Sequence, residues 1–159
     1  DGFRYTIVAE AGSEYIRSRV FHEALEAEQK MWREGTAARG AITAANYVFG
    51  ECSAAEAGPG CVTLTPRRKD VLLVDGAIFL HPETGDLERV EGSLVKSPSF
   101  WTRGVRVVRR YMRIGGTRVP VSLESTASVR LAGLSTLVVT YEYESVNGVR
   151  VGTPIAVVQ

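Results

Sequence analysis

Hydrophobic and polar positions follow two rhythms along this chain. Residues 3–10 alternate among β-prone types and read as a strand, which Gly12 and Ser13 interrupt. Over residues 14–33 the spacing changes, with apolar side chains at Ile16, Val20, Ala24, Ala27 and Met31, and with Phe21, Leu25 and Trp32 beside them. Such spacing makes a broad apolar stripe and predicts a helix. Ser13 suits its N-cap, and Glu14 lies near the positive end of the dipole. Glu23, Glu26, Gln29 and Lys30 fall on the opposite side, and Gly35 ends the run.

Beyond residue 45 the period drops to two. Short β-prone runs occupy 46–50, 61–65, 71–74, 77–80 and 87–95, then longer ones occupy 105–114, 119–130, 135–144 and 149–158. Asp75-Gly76, Thr84-Gly85, Gly115-Gly116, Ala132-Gly133 and Asn147-Gly148 supply the turns, Asp75-Gly76 being a strong two-residue hairpin signal. Strands joined this closely must be antiparallel neighbours, so the expected topology is a meander. Leu137, Val139, Tyr141 and Tyr143 share one face against Thr140, Glu142 and Glu144. Val119, Val121 and Leu123 similarly oppose Ser122 and Glu124.

One face of the sheet is therefore apolar, and something must cover it. A 20-residue helix is ~30 Å long and ~10 Å wide. About eight to ten strands at ~4.8 Å spacing span roughly 40 Å. The helix covers only part of that width, so the sheet either curls or leaves an apolar groove. The expected fold class is α+β, mainly antiparallel β, with a helix packed on a curved apolar face in one domain over residues 1–159.

Composition narrows the function classes. The 159 residues include 45% hydrophobic and 23% charged types, which suits a globular domain with a substantial core. A net charge of +1 gives no global field to select nucleic acid. No apolar run reaches the ~20 residues of a membrane-spanning helix. The chain begins at Asp1 in strand-like sequence without a leader pattern, and a removed signal peptide agrees with export. Cys52 and Cys61 bracket a Gly/Ala/Pro-rich stretch and leave two options open, a disulfide across flanking strands or two free thiols. Two thiols lack the further ligands of a metal site.

A catalytic constellation is hard to assemble. His22 lies on the predicted helix and His81 precedes Pro82 in a turn, and there is no Gly-x-Ser-x-Gly elbow or phosphate-binding glycine motif. Tyr111, Arg109 and Glu124 are the candidates for a polar cluster inside the fold. Arginines stud one strand, and strict alternation puts Arg106 and Arg110 on one face, Arg103, Arg109 and Arg113 on the other. They serve either a salt-bridged outer face with Glu88, Glu142 and Glu144, or a contact with an anionic headgroup at a groove mouth.

Several segments carry a family resemblance. They are Leu87-Glu88-Arg89-Val90-Glu91-Gly92, Ser97-Pro98-Ser99-Phe100-Trp101, Tyr111-Met112-Arg113-Ile114-Gly115-Gly116, Val119-Pro120-Val121 and Thr140-Tyr141-Glu142-Tyr143. With Gly12-Ser13-Glu14-Tyr15-Ile16-Arg17 and Pro66-Arg67-Arg68-Lys69-Asp70, the chain resembles uncharacterised members of the bacterial outer-membrane lipoprotein-sorting family. That family includes the periplasmic lipoprotein carrier and its outer-membrane receptor. The resemblance implies an unclosed β half-barrel whose mouth is closed by helices around an apolar cavity for acyl chains. The carriers use more than one helix as a lid, whereas one clear helix is evident here.

The expectation is an exported, non-enzymatic domain that holds a lipid, acyl chain or lipoprotein. Ile16, Val20, Leu25 and Trp32 from the helix, with Leu123, Val139 and Tyr141 from the sheet, are the expected cavity lining. Phe100 and Trp101 sit either at its mouth or as a plug of the sheet edge. No cofactor, metal or nucleic acid is expected, and envelope proteins are candidate partners. The alternative is a structural or interaction domain of the cell envelope whose core is filled by its own side chains.

Overall fold

The computed structural model describes residues 37–53, 58–98, 100, 102–130 and 133–151. The strand expected over 3–10, the helix expected over 14–33 and most of the strand expected over 149–158 lie outside them. The chain divides into two compact units, residues 1–42 and 43–159. In the first, the described part is α1 (Ala37–Gly40) and the two residues after it.

The second unit is an antiparallel meander. Its strands are β1 (Tyr47–Glu51), β2 (Cys61–Pro66), β3 (Val74–Leu80), β4 (Leu87–Leu94), β5 (Thr102–Ile114), β6 (Thr117–Val129) and β7 (Gly133–Thr140). They pair strictly in chain order, with β1 and β7 outermost among the described residues, so the sheet is open. A separate two-stranded ribbon joins β8 (Ser145–Val146) to β9 (Val149–Arg150) through Asn147-Gly148, both with positive φ. Such φ values are what a tight two-residue hairpin demands.

Cross-strand partners share a face, so the register separates the two surfaces. One row runs Glu51, Val62, Ile78, Val90, Arg109, Leu123, Val139. The next row on that face runs Phe49, Leu64, Gly76, Gly92, Val107, Ser125, Leu137. The opposite face carries Thr63, Ala77, Glu91, Val108, Glu124 and Val138 in one row, then Asp75, Ser93, Arg106, Thr126 and Thr136 in another. The core sits on the first face: Tyr47, Leu64, Ile78, Val90 and Val105 are all buried.

Asp75-Gly76 does not form the expected hairpin. Neither residue has the positive φ that turn needs; both lie inside β3, and residues 71–73 form the turn instead. The chain bends there because Asp70 organises it: its carboxylate accepts from Leu72 N–H and its carbonyl from Leu73 N–H. Gly76 has another use. It faces Gly92 across β3 and β4, and a Cβ on Gly92 would lie 2.2 Å from the Asp75 carbonyl oxygen. On Gly76 it would lie 2.1 Å from the Glu91 carbonyl oxygen.

Three extra residues break the alternation. Glu88 is inserted opposite the Phe79/Leu80 step, Gly104 between Arg103 and Val105, and Val121 opposite the Arg110/Tyr111 step. Gly104 has φ 55° and inverts the parity of β5, so Arg103 joins Arg106 on the polar face rather than opposing it. Val121 ends the ladder to β7 at Ser122 and Thr140, four residues earlier than the expected strand end at Glu144. Tyr141 N–H still reaches the Val121 carbonyl, and the Tyr143 hydroxyl donates to the Pro120 carbonyl at 2.7 Å.

Glycine is thus required at position 92 by backbone proximity together with φ 154°, and at position 85 only by φ 70°, with open space around it. Gly92→Ala is expected to cost roughly 2–4 kcal/mol in urea unfolding. Gly85→Ala is expected to cost about 1 kcal/mol. Equal costs would show that the close approach of β3 and β4 has no energetic weight.

Candidate functional site

The apolar face is the surface on which the sequence placed its ligand-lining residues. Leu123 and Val139 are direct cross-strand partners on it, and both are half-buried. Tyr141 follows the end of β7 and is also half-buried. Burial varies over the face. Leu64, Ile78 and Val90 on β2 to β4 and Val105 on β5 are buried and Phe49 on β1 is exposed, whereas Val107, Leu123, Leu137 and Val139 on β5 to β7 keep part of their surface open. Ile16, Val20, Leu25, Trp32 and Trp101 lie outside the described residues. Phe100 is 71% exposed in the connection between β4 and β5, with the Arg130 guanidinium 4.3 Å over its ring.

The polar trio considered for catalysis does not assemble. Arg109 stands on the apolar face between Val90 and Leu123, half-buried, while Glu124 projects from the opposite face between Val108 and Val138. Tyr111 lies past the Val121 bulge. His81 holds a turn: its Nδ1 accepts from the backbone N–H groups of Glu83 and Thr84, each at 3.3 Å. Among the described residues no three His, Cys, Asp or Glu side chains converge as metal ligands. No described helix is long and apolar enough to cross a membrane.

Polar order concentrates at two places. At the β1 end, Asn46 and Asp70 are buried, and Arg68 donates to Asn46 Oδ1 at 2.5 Å while its Nε lies 3.6 Å from Asp70 Oδ2. Arg67 Nε donates to the carbonyls of Ala44 and Tyr47. The Tyr47 hydroxyl accepts from Val74 N–H at 3.1 Å, tying β1 to the start of β3. Burial raises the Tyr47 pKa, against the lowering effect of that hydrogen bond. Sequence patterning did not mark Tyr47, Asn46 or Asp70, although the run Arg67-Arg68-Lys69-Asp70 held the signal: a lone acid beside three cations just after a strand.

At the opposite end, Arg113 clasps Asp86. Its Nε donates to Oδ2 at 2.9 Å, Nη2 pairs with Oδ1, and Nη1 reaches the Gly116 carbonyl at 2.6 Å. The clasp joins the turn before β4 to the turn after β5. Arg89 stacks 3.8 Å over Phe79, and its Nε lies 3.3 Å from Glu91 Oε2, close enough to pair but misaligned for a hydrogen bond. The partners anticipated for the strand arginines were Glu88, Glu142 and Glu144. Among the described residues, Arg68 pairs with Asp70, Arg89 with Glu91 two residues along β4, and Arg113 with Asp86.

Cys52 and Cys61 are joined in a disulfide, with Cα atoms 5.8 Å apart. They continue the β1 and β2 register by one step beyond Glu51 and Val62. The bond lies at the loop end of the hairpin, where the chain passes from β1 to β2.

No family model, curated protein or solved structure matches the chain.

Two measurements follow from these contacts. The Arg113 hydrogen bond depresses the Asp86 pKa, so the clasp stabilises the fold above the unfolded aspartate pKa and is lost as pH falls through the folded value. NMR titration is expected to place the Asp86 midpoint below the ordinary aspartate range, and Arg113→Gln to return it there. An unchanged midpoint in the variant would remove Arg113 as the cause. Replacing both cysteines by serine opens a short loop and is expected to cost roughly 2–3 kcal/mol by denaturant titration.

Proposed function

We propose that the chain is an exported, non-enzymatic binding domain that holds an apolar ligand, a lipid or acyl chain, against the apolar face of its sheet. The observation that carries this reading is a half-open patch on that face. Val107, Leu123, Leu137 and Val139 on β5 to β7 remain partly open beside buried Leu64, Ile78, Val90 and Val105. An acyl chain laid over them gains about 0.8 kcal/mol per buried methylene and asks for no polar chemistry.

Curvature toward this face belongs to the same proposal. Bulges and glycine pairs are the devices that bend sheets, and three bulges with the Gly76 and Gly92 contact are present. The helix cover, the periplasmic location and a role in lipoprotein sorting remain parts of this proposal. The disulfide supports an oxidising compartment.

Titration with a fluorescent fatty acid tests the reading. Stoichiometric uptake is expected, and Leu137→Glu is expected to weaken it by more than about ten-fold by placing a charge in a row of that face that carries none. A native-like thermal transition must accompany that loss. The absence of uptake by the wild-type chain would favour the alternative, an interaction domain with a self-filled core.

A further inference from the structure

The end of the sheet formed by the start of β5, the end of β6 and the start of β7 is unlike the rest of the surface. Phe100 precedes β5 and is 71% exposed; Leu134 opens β7 and is 76% exposed. The register places Arg103, Ser128 and Leu134 side by side on one face, because the Gly104 bulge turns Arg103 to that side. Arg130 ends β6 with its guanidinium over Phe100, and exposed Lys96 lies in the same connection as Phe100. Two apolar side chains therefore project among three cations.

Charge in the surrounding sequence is one-sided. From Gly92 to Leu123 the chain carries Lys96, Arg103, Arg106, Arg109, Arg110, Arg113 and Arg118 and no carboxylate. From Ser125 to Tyr141 it carries Arg130 and again no carboxylate. Among the described residues, the acids in these rows of the face are Glu124, four residues along β6 from Ser128, Glu91 on β4 beside Val108, and Asp75, two strands beyond Arg106. Net charge over the whole chain is only +1, so the cations are gathered in this stretch rather than spread evenly.

We propose that this end of the sheet docks on an anionic lipid surface, with Phe100 and Leu134 entering the acyl boundary and Lys96, Arg103 and Arg130 meeting the headgroups. The arrangement fits a bilayer because the apolar groups project singly from two connections. Projecting groups of that kind suit an interface that takes isolated apolar side chains and needs no matching pocket. Arg130 lies over the Phe100 ring, and Arg103 is two strands from Leu134 in the same row. Lysine and arginine stems can also extend their charges toward the headgroups while their methylenes stay buried. The attraction is electrostatic at long range and weakens with salt. Docking here does not require the apolar face to hold a ligand, since Leu134 lies on the opposite face.

Vesicle flotation tests it, with equal parts phosphatidylglycerol and phosphatidylcholine against phosphatidylcholine alone, at low and high salt. The wild-type chain is expected to float with the anionic vesicles at low salt and to leave them at high salt. Lys96→Ala and Arg103→Ala are each expected to weaken binding about five-fold. The double variant Phe100→Ser, Leu134→Ser is expected to weaken it roughly ten-fold or more. Fatty-acid uptake by the Lys96 and Arg103 variants is expected to stay at the wild-type level, which separates docking from ligand binding. Absence of wild-type flotation overturns the proposal, as does equal flotation with both vesicle types. Undiminished binding by the Phe100 and Leu134 variant also overturns it. Should that variant fail to fold, undiminished binding by both alanine variants overturns the proposal in its place.

Discussion

At the middle of the sheet, β3 and β4 pass so close that neither can carry a side chain where they meet. Gly76 and Gly92 are register partners, and each would drive a Cβ into the other's strand. This backbone contact is the constraint on which the surrounding arrangement rests. It keeps β3 a single strand through Asp75-Gly76, which carries Val74 into partnership with Leu94 and Ile78 into partnership with Val90. Moving that pairing by one residue would exchange the apolar and polar faces of the strands beyond it.

The two ends of the sheet are held by different chemistry. Around Tyr47 the bonds are mostly part-buried and most of them reach backbone groups, so β1, β2 and the start of β3 are tied together. The Cys52–Cys61 bond closes the other end of that first hairpin. At the turns flanking β4 and β5, the Asp86 and Arg113 clasp is exposed and tunable by pH. Between these ends the apolar face has a buried part at Leu64, Ile78, Val90 and Val105 and a half-open patch at Val107, Leu123, Leu137 and Val139. A scaffold rigid on one side and open on the other is a physical basis for accommodating an apolar guest.

Much of the meander was legible because period-2 alternation and glycine turns are local signals. Gly115-Gly116 and Asn147-Gly148 form turns where expected, and the strands from β4 onward begin within a few residues of their expected positions. The misreadings share one cause. Asp75-Gly76 has the composition of a hairpin, but the residue that bends the chain is Asp70, through its side-chain bond to Leu72. Arg103 was assigned to the wrong face because a single bulge residue, Gly104, is invisible to a parity count. Pairing Arg109 with Glu124 failed because they belong to opposite faces, a fact that only the register reveals. Of the expected lining, Leu123 and Val139 are brought together as neighbours on β6 and β7.

The central claim is that the half-open apolar face carries a ligand, and native mass spectrometry of the chain purified from its own host tests this most directly. A co-purified lipid or acylated peptide at near-unit occupancy is predicted, released and identified by organic extraction. A clean mass of the bare chain, with nothing apolar recovered on extraction, would contradict it.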